Sequence, residues 1–269
     1  MKQAEGLMPP RAPRLLAGLL AVSLLALPGC GGGDDEQTVT VEGQDYSYNM
    51  PDQVEGGVVT MDFVNQGAVP HEFALGRLDE GKTLADLDEA LKSSGEPPSW
   101  AHDIAGVPAM TPGEEISITR DLKPGTYAFV CFIPAGKGKT HYDLGMKKQF
   151  SVSGDTGEEP PEPDGVITAR EDSFDVPQVE AGSQTLELRN AASGPREFNL
   201  LTFEPGKTVA DARKWFQSGF SGTPPVQLLG AMQSIPPGTS VFLTADFESG
   251  KTYYVSDQEN GIRQRFTVP

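Results

Sequence analysis

The chain has 269 residues, 38 of them acidic and 21 basic, and a formal net charge of −17. So negative a surface repels nucleic acid and does not by itself bind anionic lipid headgroups. The length leaves room for two ordinary domains, each able to bury its own core.

At the N-terminus, Lys2, Arg11 and Arg14 form a basic region ahead of a short apolar stretch from Leu15 to Leu27. That stretch is too short, and too close to Pro28-Gly29, for a membrane-spanning helix. Leu27-Pro28-Gly29-Cys30 resembles a bacterial lipobox. The resemblance implies a signal peptide over residues 1–29, acylation of Cys30, and an extracytoplasmic protein lipid-anchored to the bacterial cell membrane. An ordinary secretory signal that ends near a cysteine is the alternative. Residues 30–37, with the run Gly31-Gly32-Gly33-Asp34-Asp35-Glu36, then read as a flexible tether. Without residues 1–29 the basic count falls to 18 and the acidic count to 37, so the net charge becomes −19. Such a surface suits a cationic partner, and solubility outside the cell accounts for it equally well.

Only two cysteines exist, Cys30 and Cys131. With Cys30 consumed by lipid, no disulfide can form within the mature chain. A lone thiol in an oxidising compartment survives if it is deeply buried or held by a metal.

The next feature is an internal repeat. Sliding the sequence by 125 positions lays V-N-Q-G-A-V-P-H-E-F (64–73) on R-N-A-A-S-G-P-R-E-F (189–198). In the same register Gly81-Lys82-Thr83-Leu84-Ala85-Asp86 faces Gly206-Lys207-Thr208-Val209-Ala210-Asp211. Ordered matches over this length indicate a duplication. They divide the chain into a first copy (38–153), a Pro-rich acidic linker (154–165) and a second copy (166–269). In the first copy, alternating apolar residues predict strands over 38–41, 58–64, 72–78, 115–120, 126–132 and 147–152. Thr83 is placed to cap a helix over 84–91, with Asp86 as its capping-box partner and Leu84, Leu87 and Leu91 on one stripe. Thr208 does the same for a second helix with Val209, Ala212, Trp215 and Phe216 on its stripe. Several short strands around one helix per copy predict an all-β Greek-key sandwich, twice over.

The chemistry concentrates between Tyr127 and Val152. Cys131 ends a strand, nine residues separate it from His141, and four separate His141 from Met146. A thiolate, an imidazole and a thioether on one loop are soft and borderline donors that favour copper. His71 is the candidate for a fourth ligand. The second copy has Arg196 in place of His71 and Ser256 in place of Cys131, and its last loop is too short to supply a His or Met. It keeps the scaffold without the donors. His102 reads as an exposed loop residue, and Trp100 and Trp215 as packing residues. The acidic pairs Asp34-Asp35 and Glu158-Glu159 read as solvated linker charge.

The order His71, Cys131, His141, Met146, with H-Y-D-L-G-M at its end, resembles the cupredoxin family of blue copper domains. The resemblance spans about residues 38–153, and the second copy shares only the scaffold. It implies two tandem cupredoxin-like Greek-key β-sandwiches and one mononuclear type 1 copper site with His71, Cys131, His141 and Met146 as ligands. It also implies single-electron shuttling, without enzymatic turnover, to a redox partner such as a cytochrome or oxidase. Two departures stand out: the Cys-to-His interval is long, and Glu72 stands where many members have an Asn that braces the loop. Enzymes of the family build a second copper centre from several further histidines, and this chain has three in all. A copper carrier or sensor, and a metal-free structural lipoprotein, are the other readings.

Overall fold

A computed structural model describes residues 37–269 apart from Gly219, Ser221 and Glu259. The expected signal peptide, the lipid attachment at Cys30 and nearly all of the tether lie outside the described residues. The first copy runs β1 (Gln37–Gln44), β2 (Ser47–Asn49), β3 (Gln53–Glu55), β4 (Gly57–Asn65), β5 (His71–Leu78) and α1 (Leu84–Ser94). It continues with β6 (Ala101–Met110), β7 (Glu115–Leu122), β8 (Gly125–Val130), β9 (Pro134–Gly136), β10 (Lys139–Thr140) and β11 (Lys147–Ser153). The second copy comprises β12 (Gly165–Ala169), β13 (Phe174–Asp175), β14 (Gly182–Asn190), β15 (Arg196–Phe203) and α2 (Val209–Gln217). Four more strands complete it: β16 (Val226–Ile235), β17 (Ser240–Phe247), β18 (Thr252–Asp257) and β19 (Ile262–Thr267).

Period-two alternation makes the strands. In β1, Val39 and Val41 point inward; in β4, Val59, Met61 and Phe63 do, with Thr60 and Asp62 on the other face. Helix α1 begins where expected: the Thr83 hydroxyl accepts the Asp86 N–H, and the Asp86 carboxylate accepts the Thr83 N–H at 2.8 Å. It stops at Gly95, whose φ of 77° is the left-handed conformation that glycine adopts without strain. Helix α2 repeats the device with Thr208 and Asp211. Its Ala212 and Trp215 are buried, whereas Val209 is exposed and the side chain of Phe216 lies outside the described residues.

Two layers form each copy. In the first, the order β2-β1-β4-β7 faces β3-β11-β8-β5-β6. Phe63 of β4 closes the space between them, its ring 5.1 Å from Phe73 and 5.6 Å from Phe129. In the second, β13-β12-β14-β17 accompanies β16-β15-β18-β19. The copies do not stand apart. Ser117, Ile118 and Thr119 of β7 pair antiparallel with Thr244, Leu243 and Phe242 of β17, so two four-stranded halves become one eight-stranded sheet. Residues 36–269 accordingly form a single compact unit.

This corrects the expected fold class. Two self-contained cupredoxin-like Greek-key sandwiches in tandem are not what the chain builds, because one sheet and one apolar core run through both copies. Among the described residues twelve strand ladders are antiparallel and three parallel (β1–β4, β3–β11 and β12–β14), a pattern of layered sheets. Strand β6 was not expected from the sequence. It holds Gly106 and Pro108, which an edge strand tolerates, and it lies at the edge of its sheet.

Candidate metal centre

Strands β5 and β8 are neighbours in one sheet, with Ala74 opposite Val130. That pairing brings His71, the first residue of β5, beside Cys131, the residue after β8. The chain then leaves the sheet, makes the small β9–β10 ladder, and returns through a 3-10 turn over Tyr142–Leu144. Main-chain bonds pin this excursion. Cys131 N–H donates to the Met146 carbonyl at 3.2 Å, and its own carbonyl accepts Tyr142 N–H at 2.7 Å. Met146 N–H donates in turn to the His141 carbonyl at 2.9 Å. Tyr142 and Lys147 both reach Asp88, which ties the loop to α1.

The result is a cluster of three buried donors. Nitrogens of His71 and His141 and the sulfur of Cys131 lie within 4.8 Å of one another and could hold a metal ion. All three side chains are essentially closed to solvent. His71 Nδ1 is 3.1 Å from His141 Nδ1, which is 3.4 Å from Cys131 Sγ. Tetrahedral coordination with ordinary metal–N and metal–S bonds spaces two nitrogens by about 3.3 Å and a nitrogen and sulfur by about 3.5 Å. Both separations made by His141 fit, and the His71–Cys131 pair lies within 4.8 Å. Two nitrogen lone pairs facing at 3.1 Å need a proton or a cation between them. Met146 is fully buried in the same core as Cys131.

Sequence reasoning missed the groups that hold these donors. Asp45 Oδ1 lies 2.8 Å from His71 Nε2, and Ala68 N–H donates to both oxygens of the same carboxylate. Burial alone would raise the Asp45 pKa, but the bonds from His71 and Ala68 outweigh it and hold the carboxyl below its usual range. An ionised carboxylate only accepts, so His71 carries its proton on Nε2 and presents a bare Nδ1 to the cluster. Burial lowers the pKa of His71, against the opposing pull of Asp45, and lowers that of His141 with help from the nearby His71 charge. Burial pushes the Cys131 thiol up to about 12, although Glu72 N–H donates to its sulfur at 3.3 Å. Glu72 stands in for the missing Asn: its carboxylate accepts Phe132 N–H at 2.7 Å and braces the loop itself.

Asn65 is buried and holds the turn before His71, donating to the Val69 and Met110 carbonyls and accepting Gly67 N–H. Asn190 makes the same bonds in the second copy, to Gly194, Ile235 and Ala192. Its recurrence at matching positions was the available signal. His102 stays out of the cluster, exposed and 2.9 Å from Asp79.

The second copy also corrects the expected register. Leu75 pairs with Phe129, whereas Leu200 pairs with Val255, so the offset has grown from 125 to 126 by β18. One extra residue in the β17–β18 turn is the cause. Asp257, not Ser256, therefore corresponds to Cys131. Asp257 is fully buried, and its Oδ2 lies 3.9 Å from Nε of the buried Arg196, which stands at the place of His71. An internal ion pair replaces the donor pair.

No family model matches the chain, and no curated protein matches it. Among solved structures it is similar to reduced auracyanin from Roseiflexus castenholzii, at 26% identity over 44% of this chain and 98% of that one, with a TM-score of 0.32. A "blue" copper protein from Chloroflexus aurantiacus, auracyanin A, matches at 25% identity over 43% and 98%, with a TM-score of 0.31. A blue copper oxidase from Nitrosomonas europaea matches at 13% identity over 87% and 86%, with a TM-score of 0.25. Scores this low carry no argument. The sheet and core shared by both copies correct the expected membership of the cupredoxin family, and with it the expected single-electron shuttle through a type 1 copper site. What remains is the observed geometry: a buried His–Cys–His cluster within reach of one metal ion.

Proposed function

We propose that the chain is a binding protein, without catalytic turnover, that holds one copper ion at His71, Cys131 and His141. The observation that carries this reading is the convergence of two ring nitrogens and one sulfur, all buried, from positions up to 70 residues apart. A thiol and two imidazoles are the donors that select copper over the hard cations, and zinc is the competitor that the same set admits. The chain's own contribution is to pre-set those donors. Asp45 orients one ring, Glu72 N–H steadies the sulfur, and the core around Phe73 and Phe129 keeps water away. On binding, Cys131 gives up its thiol proton and the two histidines offer nitrogens that burial already keeps neutral. The lipobox-like Leu27-Pro28-Gly29-Cys30 supports a location on the outer face of a cell membrane, and the acidic surface suits a cationic partner there.

The test is a competition titration of the full chain with Cu(I) and Zn(II) against chromophoric chelators, beside Cys131→Ser. One ion per chain, with Cu(I) preferred and Cys131→Ser weaker by at least a hundredfold, is the expected outcome. Binding that survives Cys131→Ser unchanged would place the ion elsewhere.

A further inference from the structure

The geometry points to Asp45 and Gly67 as a clamp that decides which nitrogen of His71 meets the metal. The inference rests on the metal-binding reading above and adds two positioning residues to it. An imidazole buried at the end of a strand can flip about its Cβ–Cγ bond or exchange tautomers, and either change would turn Nδ1 away or cover it with a proton. Here neither is free to occur. Asp45 accepts from Nε2 at 2.8 Å and is itself held by Ala68 N–H at 3.1 Å to each oxygen. Gly67 lies directly over this hydrogen bond: a Cβ at that position would overlap both Asp45 Oδ1 and His71 Nε2. The turn that carries Gly67 and Ala68 is anchored from below by the buried Asn65. Glycine is thus required by space, since any side chain would part the carboxylate from the ring.

The second copy shows the same acid with a different partner. By the register of β1 on β4 and of β12 on β14, Asp45 corresponds to Glu171. Glu171 accepts Ser193 N–H at 2.7 Å, as Asp45 accepts Ala68 N–H, and it meets Arg196 at 3.3 Å. In both copies the acid at this place takes the outward N–H of the side chain at the head of the following strand. Only in the first copy does that leave a nitrogen lone pair aimed inward.

The experiment uses the full chain and two readouts. Nitrogen-15 NMR of the metal-free protein reports the His71 tautomer, and Cu(I) competition reports affinity. Wild type is expected to show a single Nε2–H form. Asp45→Ala and Gly67→Ala are expected to show tautomer exchange and a 10- to 100-fold loss of affinity, the usual consequence of removing a partner behind a metal-bound histidine. Asp45→Asn, whose amide oxygen can still accept from Nε2, is expected to keep the tautomer and to bind within a few-fold of wild type. Glu171→Ala, equally a loop-anchoring acid, should leave copper affinity unchanged. The clamp is refuted if Asp45→Ala keeps a pure Nε2–H form, or if it binds Cu(I) like wild type while wild type binds well. A wild-type chain that binds no ion would instead overturn the metal-binding reading itself.

Discussion

Raising the pH should tighten copper binding by close to tenfold per unit across the neutral range, with one proton released for each ion bound. The magnitude follows from Cys131. Its thiol is shut inside the core and pushed up to about 12, so at pH 7 it is protonated in the metal-free chain. Removing that proton at pH 7 costs about 7 kcal/mol, since each unit between the pKa and the pH is worth about 1.4 kcal/mol. Binding must supply this, and the debt shrinks as the pH approaches 12. The histidines add nothing to the slope here, because burial lowers both and they are already neutral above their ordinary range. Only at a pH below their lowered pKa values do they bind protons too, and there the dependence should steepen. Calorimetry in buffers of different ionisation enthalpy counts the protons directly. A count near zero at pH 7.5 would mean that the sulfur is no ligand, or that it is already a thiolate, and either result defeats the reasoning.

Three further outcomes follow from the packing. Arg196→Met should cost about 3 kcal/mol, because it leaves the fully buried Asp257 with its Asn260 donors but without a cation, and adding Asp257→Leu should recover most of the loss; urea melts of the single and double variants decide this. Thr83→Ala removes the capping box of α1 and should cost about 1 kcal/mol, measured by the same melts. Phe63→Ala empties the space between the two layers of the first copy and should cost 3–5 kcal/mol, read as a lowered thermal midpoint.

The elements that were legible in the sequence are those with a strong local signature. The six alternating runs became β1, β4, β5, β7, β8 and β11, and Thr83 with Asp86 marked the start of α1 to the residue. His71, Cys131 and His141 could be grouped because donor types are rare enough to notice when several occur in order. Three things were not legible. Strand β6 carries Gly and Pro that blur alternation, and only its edge position makes them tolerable. The pairing of β7 with β17 is a long-range choice on which periodicity is silent. Asp45 lies far from His71 in sequence and belongs to no motif, so the hydrogen bond that sets the ring could be found only in three dimensions. The single-residue insertion before β18 shifted the apparent partner of Cys131 from Asp257 to Ser256, a slip that a strand register exposes and a string alignment does not.

The seam between β7 and β17 has a practical consequence. Cut after residue 153, the first copy would present β7 as an open edge, with Ile116 and Ile118 on its inward face and unpaired amides along its rim. A rim of that kind invites a sister molecule to zip onto it. The native outer margins of the eight-stranded sheet are the three-residue β2 and the two-residue β13, stubs too brief to template such growth. The donor-free copy thus covers a strand edge that the first copy alone would leave open.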